Sequence, residues 1–231
     1  MSAEAPRGAR RELWWPDCRN TRDLGDIPLT GGGRVRRAVL VRSDSLSRLT
    51  DEGVAAVRAY GVDTVVDLRE TEILDRYPYP ARLLSTVRYH HVPLLPEHFP
   101  LPVPAHALRE ALNESAPRWA ELIAAIAGAG GACVFHCHSG TGRTGLVAMV
   151  LLALVDADPR AIVADHMYAA SSEPAAPRVA QIRDRATAAA RLVSWLTEAQ
   201  GAARFLLAAG ADPDDVEAVR RRLTAHPTSP P

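Results

Sequence analysis

Two hydrophobic rhythms alternate along this chain. Arg34–Arg42, Thr64–Leu68, Val87–Leu94 and Ala132–His136 are short β-prone apolar runs, the second and third of the continuous kind that marks a fully buried strand. Between and after them the spacing turns helical. Thr50 caps a helix that runs to about Tyr60, with Asp51 and Glu52 in its first turn. Ala105–Gly128 reads as helix, interrupted near Pro117. Arg143–Val155 is apolar almost all round, which predicts a buried helix. Asp158-Pro159 then offers a helix cap with proline at the first helical position. From there the pattern is helical over 159–170, 175–199, 201–209 and 213–224, and Asp212-Pro213-Asp214-Asp215 is a strong start signal for the last.

Strands alternating with helices predict an α/β fold: a largely parallel central sheet of four to five strands flanked by helices, with a helical C-terminal part. One domain over residues 13–225 suits a chain of 231 residues, with 1–12 and 226–231 read as disordered tails. Ligands of such sheets bind beyond the carboxyl ends of the strands, where Asp67 and Cys137 both fall.

Composition narrows the function. The 27 basic residues, all arginine, balance 27 acidic ones, so no global basic field draws nucleic acid. Three irregularly spaced cysteines are no disulfide framework. Met1–Glu12 lacks an apolar signal core, and the longest apolar run, Leu146–Val155, is about half of a membrane span. A cytoplasmic protein without a membrane partner is the expectation. Oligomeric state is not legible.

The chemistry concentrates in Cys133-Val-Phe-His136-Cys137-His138-Ser139-Gly140-Thr141-Gly142-Arg143-Thr144-Gly145. A strand ends at a cysteine, a glycine-containing turn follows, and a helix begins. The first N–H groups of a helix lack intrahelical partners and carry the positive end of its dipole, which makes an anion site. Glycines let successive amides converge on one oxyanion, and Arg143 adds a planar fork for two phosphate oxygens. The same field favours thiolate over thiol at Cys137. This combination predicts attack by Cys137 on phosphorus, a phosphocysteine intermediate and hydrolysis by water, with no metal or cofactor. His138, Ser139, Gly140, Thr141, Gly142 and Thr144 are the candidate substrate-binding positions. Cys133, inside the strand, reads as a small buried hydrophobe. Gly140-Thr-Gly142-Arg-Thr-Gly145 also spells a dinucleotide-binding pattern, but a second helix follows where that reading needs a strand ending in an acid.

His-Cys-x5-Arg-Thr-Gly resembles the active-site loop of cysteine-dependent protein tyrosine phosphatases. The order Asn20-Thr-Arg22-Asp23-Leu-Gly, Val41-Arg42-Ser43-Asp44, Val65-Val-Asp67-Leu-Arg69 and Ala161–His166 resembles the bacterial tyrosine/serine phosphatase family over roughly residues 14–222. The resemblance implies a phosphatase fold and a phosphorylated protein or aryl phosphate substrate, and it leaves signal-less secretion open. In that family Lys-Asp usually precedes the arginine. Thr141-Gly142 stands there instead, which weakens a phosphoinositide phosphatase reading and leaves the general acid unassigned. Asp67 is the first candidate acid and Glu97 or His98 the next, while Asp67 could equally anchor Arg22, Arg42 or Arg69. Asn20, Arg22 and Asp23 read as a structural clasp. Cys18 is a candidate trap for an oxidised Cys137. A phosphate-binding pseudophosphatase is the alternative from outside the enzymes.

Overall fold

The computed structural model describes residues 11–95, 108–171 and 179–224. Its five strands are β1 (Arg22–Asp23), β2 (Leu40–Ser43), β3 (Val62–Asp67), β4 (Arg88–His91) and β5 (Ala132–His136). They form one sheet in the order β1-β2-β5-β3-β4. β1 runs antiparallel to β2 and every other pair is parallel. The helices are α1 (Asp51–Ala59), α2 (Thr71–Arg76), α3 (Ala81–Leu84), α4 (Leu108–Glu114), α5 (Ala116–Ala127), α6 (Gly142–Leu154), α7 (Pro159–Ser171), α8 (Val179–Thr197), α9 (Gly201–Ala208) and α10 (Pro213–Thr224).

Each strand side alternates between two cores, as the two-residue period of a strand requires. Cys133 and Phe135 join the larger core, with Trp119 of α5, the apolar length of α6 and Phe205 of α9. Ala132 and Val134 join a second core with Val54 and Val57 of α1. Helix α6 is buried at every position from Arg143 to Leu154, so its all-round apolar sequence has no solvent face to supply. It contacts α7, α8 and α9.

The largely parallel sheet and the helical C-terminal part match the sequence reading. Two details differ. The predicted strand Arg34–Arg42 shrinks to Leu40–Ser43, because Ala38 takes a left-handed φ of 57° and turns the chain into the sheet. Upstream, Val35 bonds instead to Ile27, and the Arg36 amide donates to Leu223 of α10. Arg11 and Glu12, assigned to a tail by composition, pair with β1: the Asp23 amide donates to the Arg11 carbonyl, and Glu12 bridges Arg22. The remaining tail positions lie outside the described residues.

Trp119 is fully buried, edge-on to Phe205 at 5.4 Å, and its indole N–H has no partner among the described residues. Trp119→Ala should cost about 3–5 kcal/mol. Trp119→Phe keeps most of the ring and removes the orphan donor, whose burial costs about 1–3 kcal/mol, so it should lose less than half as much. Urea unfolding of both variants checks the order.

Candidate active site

The carboxyl ends of four strands line up. Ser43 of β2 and Asp67 of β3 both register with His136 of β5, and His91 of β4 registers with Asp67. Cys137 follows directly on the central strand, and the chain then curls through His138–Thr141 into α6.

The loop's shape comes from where its carbonyls are tied. The His136 carbonyl accepts from the Leu68 amide at 2.9 Å, and the His138 carbonyl from the Ser45 amide at 3.1 Å. The Ser139 carbonyl accepts from Asn20 Nδ2 at 3.2 Å, and the Gly140 carbonyl from Arg42 Nη2 at 2.8 Å. In a planar trans peptide the N–H points opposite to its C=O. The amides of Ser139, Gly140 and Thr141 therefore face away from this outer frame, that of Thr141 donating to Ser139 Oγ at 3.4 Å. Gly140 makes the bend with φ +73°, and a Cβ there would lie 2.7 Å from the Ser43 carbonyl oxygen. Gly145 admits His166, whose Nδ1 would sit 2.6 Å from an added Cβ.

Inside the loop, the Thr144 hydroxyl donates to Cys137 Sγ at 3.1 Å, and both residues are buried. Arg143 is held through one end of its guanidinium: Nη1 donates to the Leu68 carbonyl at 3.0 Å and to Glu70 Oε2 at 2.5 Å. Its buried Nε has no partner among the described residues, so an edge of the fork is left for an anion. Thr141 Oγ1 is likewise buried and unpartnered among them.

A family described as the tyrosine phosphatase family matches residues 13–225. The chain belongs to the tyrosine phosphatase family. A protein assigned as a tyrosine-protein phosphatase in Cupriavidus necator is 27% identical, over 71% of this chain and 66% of that protein. The tyrosine-protein phosphatase of Nostoc commune is 32% identical over 57% of this chain and 48% of its own length. The chain thus spans less than two thirds of each. The triple specificity protein phosphatase PtpB of Mycobacterium tuberculosis is 27% identical over 72% of this chain and 71% of PtpB. The crystal structure of P. aeruginosa TpbA superposes with a TM-score of 0.39 at 21% identity, over 70% of this chain and 86% of TpbA.

In this tyrosine phosphatase family member the predicted loop residues come together. Thr141, Arg143, Thr144 and Cys137 are buried, while His138 and Ser139 stand exposed at the mouth. Asp67 does not join them as an acid. It is fully buried, both its oxygens accept from Arg69, and one also takes the Tyr89 hydroxyl. Burial alone would raise its pKa, but His136 and Arg69 outweigh burial and bring it to about 2. A carboxylate held there carries no proton to donate near neutral pH. Glu97 and His98 lie outside the described residues. Cys18 is pushed up to about 12 by burial and by Asp44, so its thiol is not primed. Cys133 is buried in the core and likewise raised to about 12.

His136 and His138 have separate tasks. His136 Nδ1 contacts the Cys137 carbonyl at 3.0 Å, which fixes the proton on Nδ1, so Nε2 accepts from the Tyr79 hydroxyl. His138 packs its ring 5.5 Å from that of Tyr77. Burial, then Arg48, Arg69 and Arg143, lower its pKa from the ordinary histidine value.

The sequence reading missed Glu70, which grips Arg143, and Arg42, which it gave no part in the loop. The clasp of Asn20, Arg22 and Asp23 gains its targets: Asn20 holds the Ser139 carbonyl of the loop, Arg22 holds Asn20 and Asp165, and Asp23 accepts from the Gly25 and Ala38 amides. No group of three or more His, Cys, Asp or Glu side chains among the described residues is placed to hold a metal. No described helix is long and apolar enough to cross a membrane.

Acid should unfold this protein in two stages. Burial and the neighbouring Arg42 lower His166 to about 4. The unfolded chain, whose histidine titrates near ~6.5, then binds more protons than the native one between these values, so stability falls as pH drops through that window. Asp67, depressed to about 2, adds a second loss below ~3.9, its unfolded value. His166→Asn should make the upper stage shallower, with His136 and His138, also lowered by burial, keeping their share of it, and leave the lower one unchanged. Urea midpoints across pH that keep the wild-type upper slope in the variant would refute this.

Proposed function

We propose that this protein hydrolyses phosphotyrosine through a phosphocysteine intermediate. The contact between the Thr144 hydroxyl and Cys137 Sγ, beside the open edge of Arg143, carries the reading. A phosphoryl group would bind with its non-bridging oxygens on the loop amides and the Arg143 fork. Cys137 thiolate attacks phosphorus, the S–P bond forms, and the P–O bond to the tyrosine ring breaks. Water then attacks the phosphocysteine, the S–P bond breaks, and inorganic phosphate and the thiolate are released. Thr144 stabilises the sulfur as it leaves, and the preorganised amides stabilise the charge on the equatorial oxygens.

Two features favour an aryl ester. Tyr77 and His138 form an aromatic lip beside the loop, with Tyr77 43% exposed and His138 exposed. The backbone under the lip is held: the Tyr77 carbonyl accepts from Ser47 Oγ at 2.5 Å and from Arg69 Nη1 at 3.0 Å. An imidazole and a phenol ring can pack on a phosphotyrosine ring. Leaving-group chemistry points the same way. A phenol has a pKa of about 10 and departs with less help from a general acid than a serine alkoxide. Phosphoserine and phosphothreonine should be turned over more slowly.

Cys137→Ser and Arg143→Ala should each lower kcat on an aryl phosphate at least about 10³-fold, as loss of a nucleophile or of a principal charge-stabilising group does. Activity of the Cys137→Ser variant near wild type would overturn the mechanism.

Tyr77→Ala should raise KM for a phosphotyrosine peptide by about tenfold, the worth of about one ring–ring contact. Its KM for a phosphoserine peptide should not change. Equal effects on both peptides would remove the lip from substrate selection.

A further inference from the structure

The two side chains that tie the Ser139 and Gly140 carbonyls, Asn20 and Arg42, come from different strands' surroundings yet converge on one group. Arg42 is fully buried, and its Nη1 donates to Asp165 Oδ2 at 2.6 Å while Nη2 holds the Gly140 carbonyl. Arg22 Nε donates to Asp165 Oδ1 at 3.0 Å, and Arg22 Nη1 donates to Asn20 Oδ1 at 2.6 Å. Asn20 Nδ2 then holds the Ser139 carbonyl. Arg11 also binds Asp165 Oδ1. Two arms therefore leave one carboxylate on α7 and end on consecutive peptide units of the loop.

We propose that Asp165 is a positioning residue of the phosphate-binding loop, acting through Arg42 on Gly140 and through Arg22 and Asn20 on Ser139. The inference rests on the phosphatase reading for its bearing on turnover, but its effect on anion binding does not. Fixing those two carbonyls fixes the Gly140 and Thr141 amides that follow them, the latter donating to Ser139 Oγ at 3.4 Å, so the arms set the direction of two N–H groups on the loop's inner side. The charge balance fits. Three arginines share the Asp165 carboxylate, which leaves excess positive charge in contact with the loop. Burial, with Arg22 beside it, lowers Arg42 to about 10 against the pull of Asp165, as incomplete compensation would. Arg42 Nε is buried without a partner among the described residues. A bound dianion supplies the missing negative charge. An arm is distinct from plain packing because neither Asn20 nor Asp165 would touch substrate; each acts on geometry alone.

The test separates geometry from folding and from chemistry. Tungstate binding is measured by calorimetry in the wild type and in Asn20→Ala, Asp165→Asn and the double variant, alongside kcat and KM on an aryl phosphate and the thermal midpoint. Asn20→Ala cuts only the Ser139 arm. It should weaken tungstate binding and lower kcat, each about tenfold, because a small misplacement of preorganised donors is costly to rate. Its KM should rise less than its kcat falls. The double variant should be little worse than Asp165→Asn alone, since Asn20 lies on the same path. Asn20→Ala that melts like the wild type and binds tungstate and turns over substrate unchanged overturns the proposal, even if Asp165→Asn does not fold. Multiplicative losses in the double variant overturn it as well. Wild type that binds tungstate but fails to hydrolyse any aryl phosphate would instead sink the phosphatase reading and leave the arms to be judged on binding.

Discussion

One fully enclosed carboxylate, Asp165, faces Arg22 and Arg42 with an exposure of 1% for its side chain, and Arg11 reaches it from the surface. Burial would raise its pKa, but Arg42, Arg22 and Arg11 hold it far below the usual range. Taking such charges out of water costs several kcal/mol per ion, so the cluster exists at the expense of stability. It persists because it joins parts that no apolar contact could orient: β1, β2, the N-terminal segment, α7 and the loop after β5. An apolar replacement could fill the space, but it could not direct a hydrogen bond at a particular carbonyl oxygen.

The active loop is therefore held from outside by polar groups and from below by apolar ones. Helix α6 is anchored in the larger core along its whole length. Its N-terminus and the amides ahead of it cannot drift without dislodging that core. The second polar assembly, Asp67 with Arg69, Tyr89, His136 and Tyr79, secures the other flank. Arg69 links this assembly to Ser47 and to the Tyr77 carbonyl. Leu68 and Glu70, its chain neighbours, position Arg143. The segment after β3 thus supplies the arginine's holder and the aromatic lip together.

The Arg143–Glu70 pair has a further consequence. Nη1 is committed to Leu68 and Glu70, so the guanidinium plane is set before any anion arrives. A bidentate grip then needs no rotamer search, which is the entropic advantage of a preorganised fork. The neighbouring carboxylate also offsets part of the arginine's charge.

Local periodicity and cap chemistry in the sequence determined the elements: the buried strand before Cys137, the all-apolar helix after Arg143, and the starts at Thr50, Asp158 and Asp212. The Cys137–Thr144 spacing likewise determined a tight strand–turn–helix loop, because the glycines between the cysteine and the arginine allow the chain to curl there. What sequence could not determine were pairings between distant residues. Arg34–Arg42 read as one strand, yet a left-handed Ala38 and a tie to α10 cut it short. Asp67 read equally well as acid or anchor, and its meeting with Arg69, Tyr89 and His136 decided for the anchor. Asp165 lies 123 residues beyond Arg42 and 143 beyond Arg22, separations over which no local pattern marks a partner. Local rules act over one turn or one strand; the direction of a loop amide depends on which distant side chain holds the preceding carbonyl, and folding alone settles that.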